Sequence, residues 1–127
     1  MINDFLIISC TGKNDSIGLK INSNFFIQKF QTNIQSNETL VNKILIFLKK
    51  HKTEINKDFS IIVNIGPGSF SSVRISLAVA KGIQVSKGAR LYGYKDSLLN
   101  EFNLKNIEFL IQKNLLENEL IKPVYLS

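Results

Sequence analysis

Residues 63–82 read VNIGPGSFSSVRISLAVAKG, and the shape of the whole chain turns on how this stretch is folded. Apolar residues run up to Ile65, then Gly66, Pro67 and Gly68 break the run. Glycine accepts unusual φ values and proline fixes its own, so the triplet turns the chain sharply between a buried strand and a helix. The helix is expected from about Ser71 to Ser86. A glycine-rich turn opening a helix can also bind phosphate through free N–H groups. Phosphoryl transfer needs more, namely a Lys–Ser/Thr pair and an acid for Mg²⁺. GPGSFSS has no lysine, and it lacks the spacing of a dinucleotide fingerprint.

Upstream, FSIIVNI (59–65) reads as an apolar strand covered on both faces, as in the middle of a sheet, with Ser60 and Asn64 its two polar residues. Before it, Leu40, Val41, Ile44, Leu45, Phe47 and Leu48 fall at the spacing of one helical face across 38–50. Ser36 or Asn37 caps that helix, and Glu38 and Lys49, Lys50 and Lys52 suit its two ends. Earlier still, FLIIS (5–9), SIGLKI (16–21) and FFIQKF (25–30) are short strands joined by TGKND and NSN turns, an antiparallel meander. Downstream, RLYGY (90–94) is a strand, and Asp96 or Ser97 caps a helix in SLLNEFN. IEFLIQK (107–113) fits strand or helix, the whole of 104–122 stays open, and Pro123 stops whatever precedes it. The order is three meandering strands, then alternating helices and strands. That is the plan of an α/β lobe of the actin-like ATPase, ribonuclease H-like kind, one domain spanning 1–127.

Composition narrows the chemistry. The chain has 127 residues, 44% hydrophobic and 20% charged, as in a soluble globular protein. No apolar run approaches the roughly 18 residues of a membrane span, and MINDFLIISC lacks the basic start of a signal peptide, so the cytoplasm is expected. Net charge is +6, yet the cations are scattered lysines with only two arginines, Arg74 and Arg90. Clustered cations or arginine forks, which recognise phosphate, are missing from that pattern. One cysteine, Cys10, permits no internal disulfide and reads as a small buried hydrophobe. The sole histidine, His51, sits in the basic KKHK, so no catalytic triad and no metal site is expected. Strand one ends Ile8–Ser9–Cys10–Thr11 without the carboxylate such folds use for metal or phosphate, and Asp15 reads as a solvated turn residue. No cofactor is expected.

The second helix suggests a different role. Ser72, Ser76 and Ala80 recur every four residues and would let another element approach closely. Val73 and Leu77 face differently from Ile75, Val79 and Ile83, so the helix is apolar on several sides and needs burial on several sides. A sheet covers one of them, and a partner is expected on another.

GPGSFSSVRISLAVAKG resembles GPGSFTGLRIGLATAKG, the signature of the TsaB (YeaZ) family of tRNA threonylcarbamoyladenosine biosynthesis. Gly66, Pro67, Gly68, Ser69, Phe70, Arg74, Ile75, Leu77, Ala78, Ala80, Lys81 and Gly82 agree. YGYKDSLL is similar to the family's GVSSLEAL, SNETLVNKILIFL to HSELLLPLIDELL, and the closing KPVYLS to P-x-YLR. The resemblance implies a non-catalytic subunit that pairs with the TsaD transferase subunit, with the TsaE ATPase completing the complex and tRNA met only through it. It also allows a homodimer. Pairing in the family uses the helices that correspond to 38–50 and 71–86. The residues expected at that interface are Leu40, Ile44, Phe47, Ser72, Val73, Ser76, Leu77 and Ala80. Gly66, Pro67, Gly68, Ser69, Phe70 and Arg74 are expected to build the loop, with Phe70 as a core anchor and Arg74 pairing a partner carboxylate or bracing the turn. Ser9 stands where the family commonly has Asp, and Ser71 and Ser72 replace Thr–Gly. The family's second lobe is not evident, which describes a minimal or a decayed member. Two other classes stay open: an ATP-binding or hydrolytic enzyme of the same fold, and a stand-alone basic RNA-binding protein.

Overall fold

A computed structural model describes residues 2–119 and 121–125. The closing KPVYLS is therefore described only through Tyr125. Three strands, β1 (Phe5–Ser9), β2 (Ser16–Ile21) and β3 (Asn24–Lys29), form the expected antiparallel meander. Helix α1 (Asn37–Lys50), strand β4 (Ser60–Asn64), helix α2 (Phe70–Lys87) and strand β5 (Arg90–Tyr94) follow. The sheet order is β3-β2-β1-β4-β5, with β4 parallel to both β1 and β5.

Side-chain alternation along each strand separates two cores. Leu6, Ile8, Ile61 and Val63 point to the face covered by α1 and α2, while Phe5, Ile7 and Ile62 point to the other. This explains the apolar run Ile61–Val63 at the centre of β4, a strand buried at every position. The second face is closed by α3 (Leu104–Gln112), which buries Ile107 and Leu110.

The segment after β5 departs from expectation. SLLNEFN forms only a 3₁₀ turn, Asp96–Leu98, because Asp96 is engaged elsewhere: its N–H donates to Gly66 O and its carboxylate accepts from Asn64. The capping oxygen comes instead from Asn103, whose Oδ1 accepts the Asn106 N–H at 2.9 Å and starts α3. IEFLIQK is thus helical. Beyond α3, Glu117 exchanges two backbone hydrogen bonds with Gly93 and lies along β5, and Val124 N–H donates to Ile65 O.

Asp15 also departs from expectation. It is buried, accepting the Gly12 N–H on Oδ1 at 3.0 Å and the Ile34 N–H on Oδ2 at 2.9 Å. A carboxylate that caps two backbone donors is sheltered by them, so this turn residue ties the β1–β2 turn to the segment entering α1.

The glycine loop, a polar cleft and a candidate partner groove

The loop between β4 and α2 is a junction of three chain segments. Gly66 has φ +96°, and a Cβ there would collide with the Val124 carbonyl. A Cβ on Gly68 would lie 2.7 Å from the Thr11 carbonyl oxygen. Ser69 N–H donates to that same oxygen at 2.9 Å, and Ser69 Oγ caps α2 by accepting the Ser72 N–H. The glycines therefore admit the end of β1 on one side and the closing segment on the other. Two donors at this helix start are already engaged within the lobe, so the loop serves packing rather than an open phosphate cradle.

Phe70 does not anchor the core. It is 57% exposed, packs on the Tyr125 ring at 4.7 Å, and carries the Arg74 guanidinium 5.2 Å from its centroid. As the first residue of α2 it points away from the sheet, so the loop is seated by glycine packing instead. Arg74 is exposed and lies over the Phe70 ring.

At the carboxyl ends of β1 and β4 lies a polar cleft of about 750 Å³, bordered by Ser9, Thr11, Asn64 and Asp96. Asn64 is buried and organises it. Its Nδ2 donates to Ser9 Oγ at 3.2 Å and to Asp96 Oδ1 at 2.9 Å, and its Oδ1 accepts the Gly66 N–H. A carboxylate thus reaches the end of the sheet from beyond β5, although β1 supplies none. Sequence reasoning missed this cluster. The signal was Asn64 itself, the polar residue inside IIVNI. Beneath it, the Tyr94 hydroxyl is fully buried near Ser9 and Asn64 without meeting hydrogen-bonding geometry with either, and burial raises its pKa. Cys10 is buried as expected, and burial, then the nearby Asp15 charge, raises its thiol pKa. Among the described residues no group of three or more His, Cys, Asp and Glu side chains gathers to hold a metal.

The outer faces of α1 and α2 enclose a larger groove, about 1380 Å³, with exposed Val41 and Leu45 on its α1 wall. Here the expected interface residues need correction. Leu40, Ile44, Phe47, Ser72, Val73, Ser76, Leu77 and Ala80 are all buried within the lobe. Only Ile44 borders the groove. The stripe of Ser72, Ser76 and Ala80 is small because α2 itself lies close to the end of β1: Ser76 Oγ lies 2.8 Å from Cys10 O and 2.9 Å from Ser72 O, and its one hydroxyl hydrogen is shared between these two acceptors. The outward stripe on α2 is Ala78, Gly82 and Ser86, again four apart.

No family model matches the sequence, and no curated protein matches it either. Among solved structures, YeaZ from Pseudomonas aeruginosa superposes with a TM-score of 0.69 at 16% identity, over 76% of this chain and 46% of that one. A second structure, an uncharacterized protein with similarity to peptidase YEAZ from Pseudomonas aeruginosa, gives 0.68 at 16% identity, over 76% of this chain and 45% of that one. The matched portion is therefore less than half the length of either structure. Its five-stranded sheet and helices are those of an actin-like, ribonuclease H-like lobe, and its fold is the fold that YeaZ displays over the matched portion.

Proposed function

We propose that this chain is a TsaB-like accessory subunit that pairs with a TsaD-like transferase subunit in the synthesis of threonylcarbamoyladenosine on tRNA. The groove between α1 and α2 carries this reading. It is apolar at its floor, open to solvent and bordered by exposed Val41 and Leu45, where a lone domain would gain by covering those side chains. The YeaZ-like fold and the signature from Gly66 to Gly82 support it from two directions. In this role the chain performs no chemistry, meets tRNA and a TsaE-like ATPase through the complex, and works in the cytoplasm. Among the described residues no helix is long and apolar enough to cross a membrane.

The polar cleft favours one second reading, a nucleotide-binding or hydrolytic role, since Asp96 brings a carboxylate beside Ser9 through Asn64. Co-expression with the TsaD-like protein of the same organism, followed by size-exclusion chromatography with mass determination, tests the first reading. A stable one-to-one complex is expected. Two separate peaks with a well-folded chain would overturn it, and saturable ATP binding would then favour the second.

A further inference from the structure

The chain has seven glycines, and six have an internal reason to be glycine. Gly12, Gly66 and Gly88 hold positive φ, and a Cβ at Gly18, Gly68 or Gly93 would press within 3.0 Å of a neighbouring atom. Gly82 has neither. It lies inside the 18-residue helix α2, is exposed, and an added Cβ there would meet no atom of another element within 4 Å among the described residues. Glycine in a helix interior is less stable than alanine, because it loses more backbone freedom on folding. Nothing in the lobe's own packing offsets that cost. The gap opens into the α1–α2 groove, flanked one turn away on either side by Ala78 and Ser86, the other small residues of the outward stripe.

Charge marks one end of the same groove. Strands β3, β4 and β5 all run parallel to β1, because β1–β2 and β2–β3 are antiparallel and β1–β4–β5 parallel. Helices α1 and α2 each return between such strands, so they run in the same direction and their carboxyl ends adjoin. Lys49, Lys52 and Lys87 gather there along the groove, with Glu54 as the sole carboxylate among the described residues that line it.

We infer, resting on the pairing proposed above, that the groove receives a helix of the partner subunit which crosses α2 at Gly82 and presents carboxylates to Lys49, Lys52 and Lys87. Small residues four apart on a helix let a second helix backbone approach closely, which an alanine narrows and a leucine blocks. A second copy of this chain is the weaker occupant. It would bring the same three lysines and one carboxylate to the contact, where like charges oppose association.

The test uses the co-expressed pair, with affinity measured at low and moderate salt and the melting temperature of the free chain measured in parallel. Gly82→Ala is expected to raise the melting temperature by a few degrees while weakening pairing, a combination that a merely structural glycine does not give. Gly82→Leu is expected to keep the free chain folded and weaken pairing at least about tenfold, roughly 1.4 kcal/mol. The double variant Lys49→Glu/Lys87→Glu is expected to weaken pairing at low salt most, since salt screens these contacts. If the unaltered chain pairs and Gly82→Leu pairs equally well, the seat lies elsewhere and only this inference falls. If charge reversal leaves low-salt affinity unchanged or improves it, the acidic partner helix is wrong. A homodimer dissolved by Gly82→Leu would place a second copy in the groove and overturn the assignment. Failure of the unaltered chain to pair at all removes both the inference and the reading beneath it.

Discussion

Asp15→Asn is the sharpest test of how the lobe holds the start of α1. The substitution keeps size and shape but turns one acceptor oxygen into a donor amide. Both carboxylate oxygens are in use: Oδ1 accepts the Gly12 N–H at 3.0 Å and Oδ2 the Ile34 N–H at 2.9 Å. Whichever way the amide is turned, its NH₂ group faces one of those two donors. The bond that survives also loses its charge assistance. A hydrogen bond to a charged group contributes about 1.5–3 kcal/mol, and a stranded buried donor costs about 1–3 kcal/mol. With partial relaxation the net loss is about 3 kcal/mol. At roughly 4 °C per kcal/mol for a chain of this size, the midpoint falls by roughly 12 °C. Thermal unfolding followed by circular dichroism measures it. Because Ile34 lies just before the Ser36 cap of α1, the variant should also weaken pairing, through misplacement of α1 rather than loss of a contact. A midpoint within about 3 °C of the parent would show that the turn holds α1 without this carboxylate, and the reasoning would fail.

Other outcomes follow from burial. Ala80→Leu overfills a position with no exposed surface and should destabilise the free chain by about 1–3 kcal/mol, measured by urea unfolding; an unchanged midpoint together with lost pairing would return Ala80 to the interface. His51 caps α1, stacks on Phe26 at 3.9 Å and meets Phe47 edge-on at 5.0 Å. Burial against its neighbours, then the Lys50 charge, lowers its pKa from 6.5. The unfolded chain then binds more protons near pH 6, so this contribution is complete above about pH 6.5 and is lost as pH falls through the lower folded value. His51→Gln should flatten the slope of stability between about pH 7 and 5, and a slope identical to the parent would discount the effect. Cys10, buried and with its pKa raised, should resist thiol reagents in the native chain and react only on unfolding; rapid native labelling would contradict that placement.

The strands and both long helices were legible because their signals are local: alternation in β2, the apolar run Ile61–Val63 in β4, helical spacing with a serine cap before α1. The face a residue presents was not. Ser72, Ser76 and Ala80 announce close approach by something, and periodicity cannot say that the something is the end of β1, 66 positions away from Ser76 through the Cys10 carbonyl. The same small character recurs on Ala78, Gly82 and Ser86, on the other side of the helix. Asp15 and Asp96 were unreadable for a related reason. An acidic residue in a turn is usually solvated, and only the folded chain brings Ile34 N–H to one and Asn64 Nδ2 to the other. Phe70 misled in the opposite sense, since large aromatics are commonly buried and this one opens a helix at the lobe's surface.

The Gly-Pro-Gly turn and the outward stripe of α2 form one device. Thr11 reaches the loop through Gly68 and Ser69, and Val124 reaches it through Gly66 and Ile65, so the amino end of α2 is held from both sides by backbone. Ser76, nearly two turns further on, then pins the helix to Cys10. With its inner face held at the start and along the first turns, α2 has little freedom to roll about its own axis. A notch at Gly82 has directional meaning only on a helix that cannot roll, because rotation by one residue's step would carry it out of the groove. The glycine loop therefore fixes the angle at which Ala78, Gly82 and Ser86 face outward, and the proposed helix seat depends on that angle.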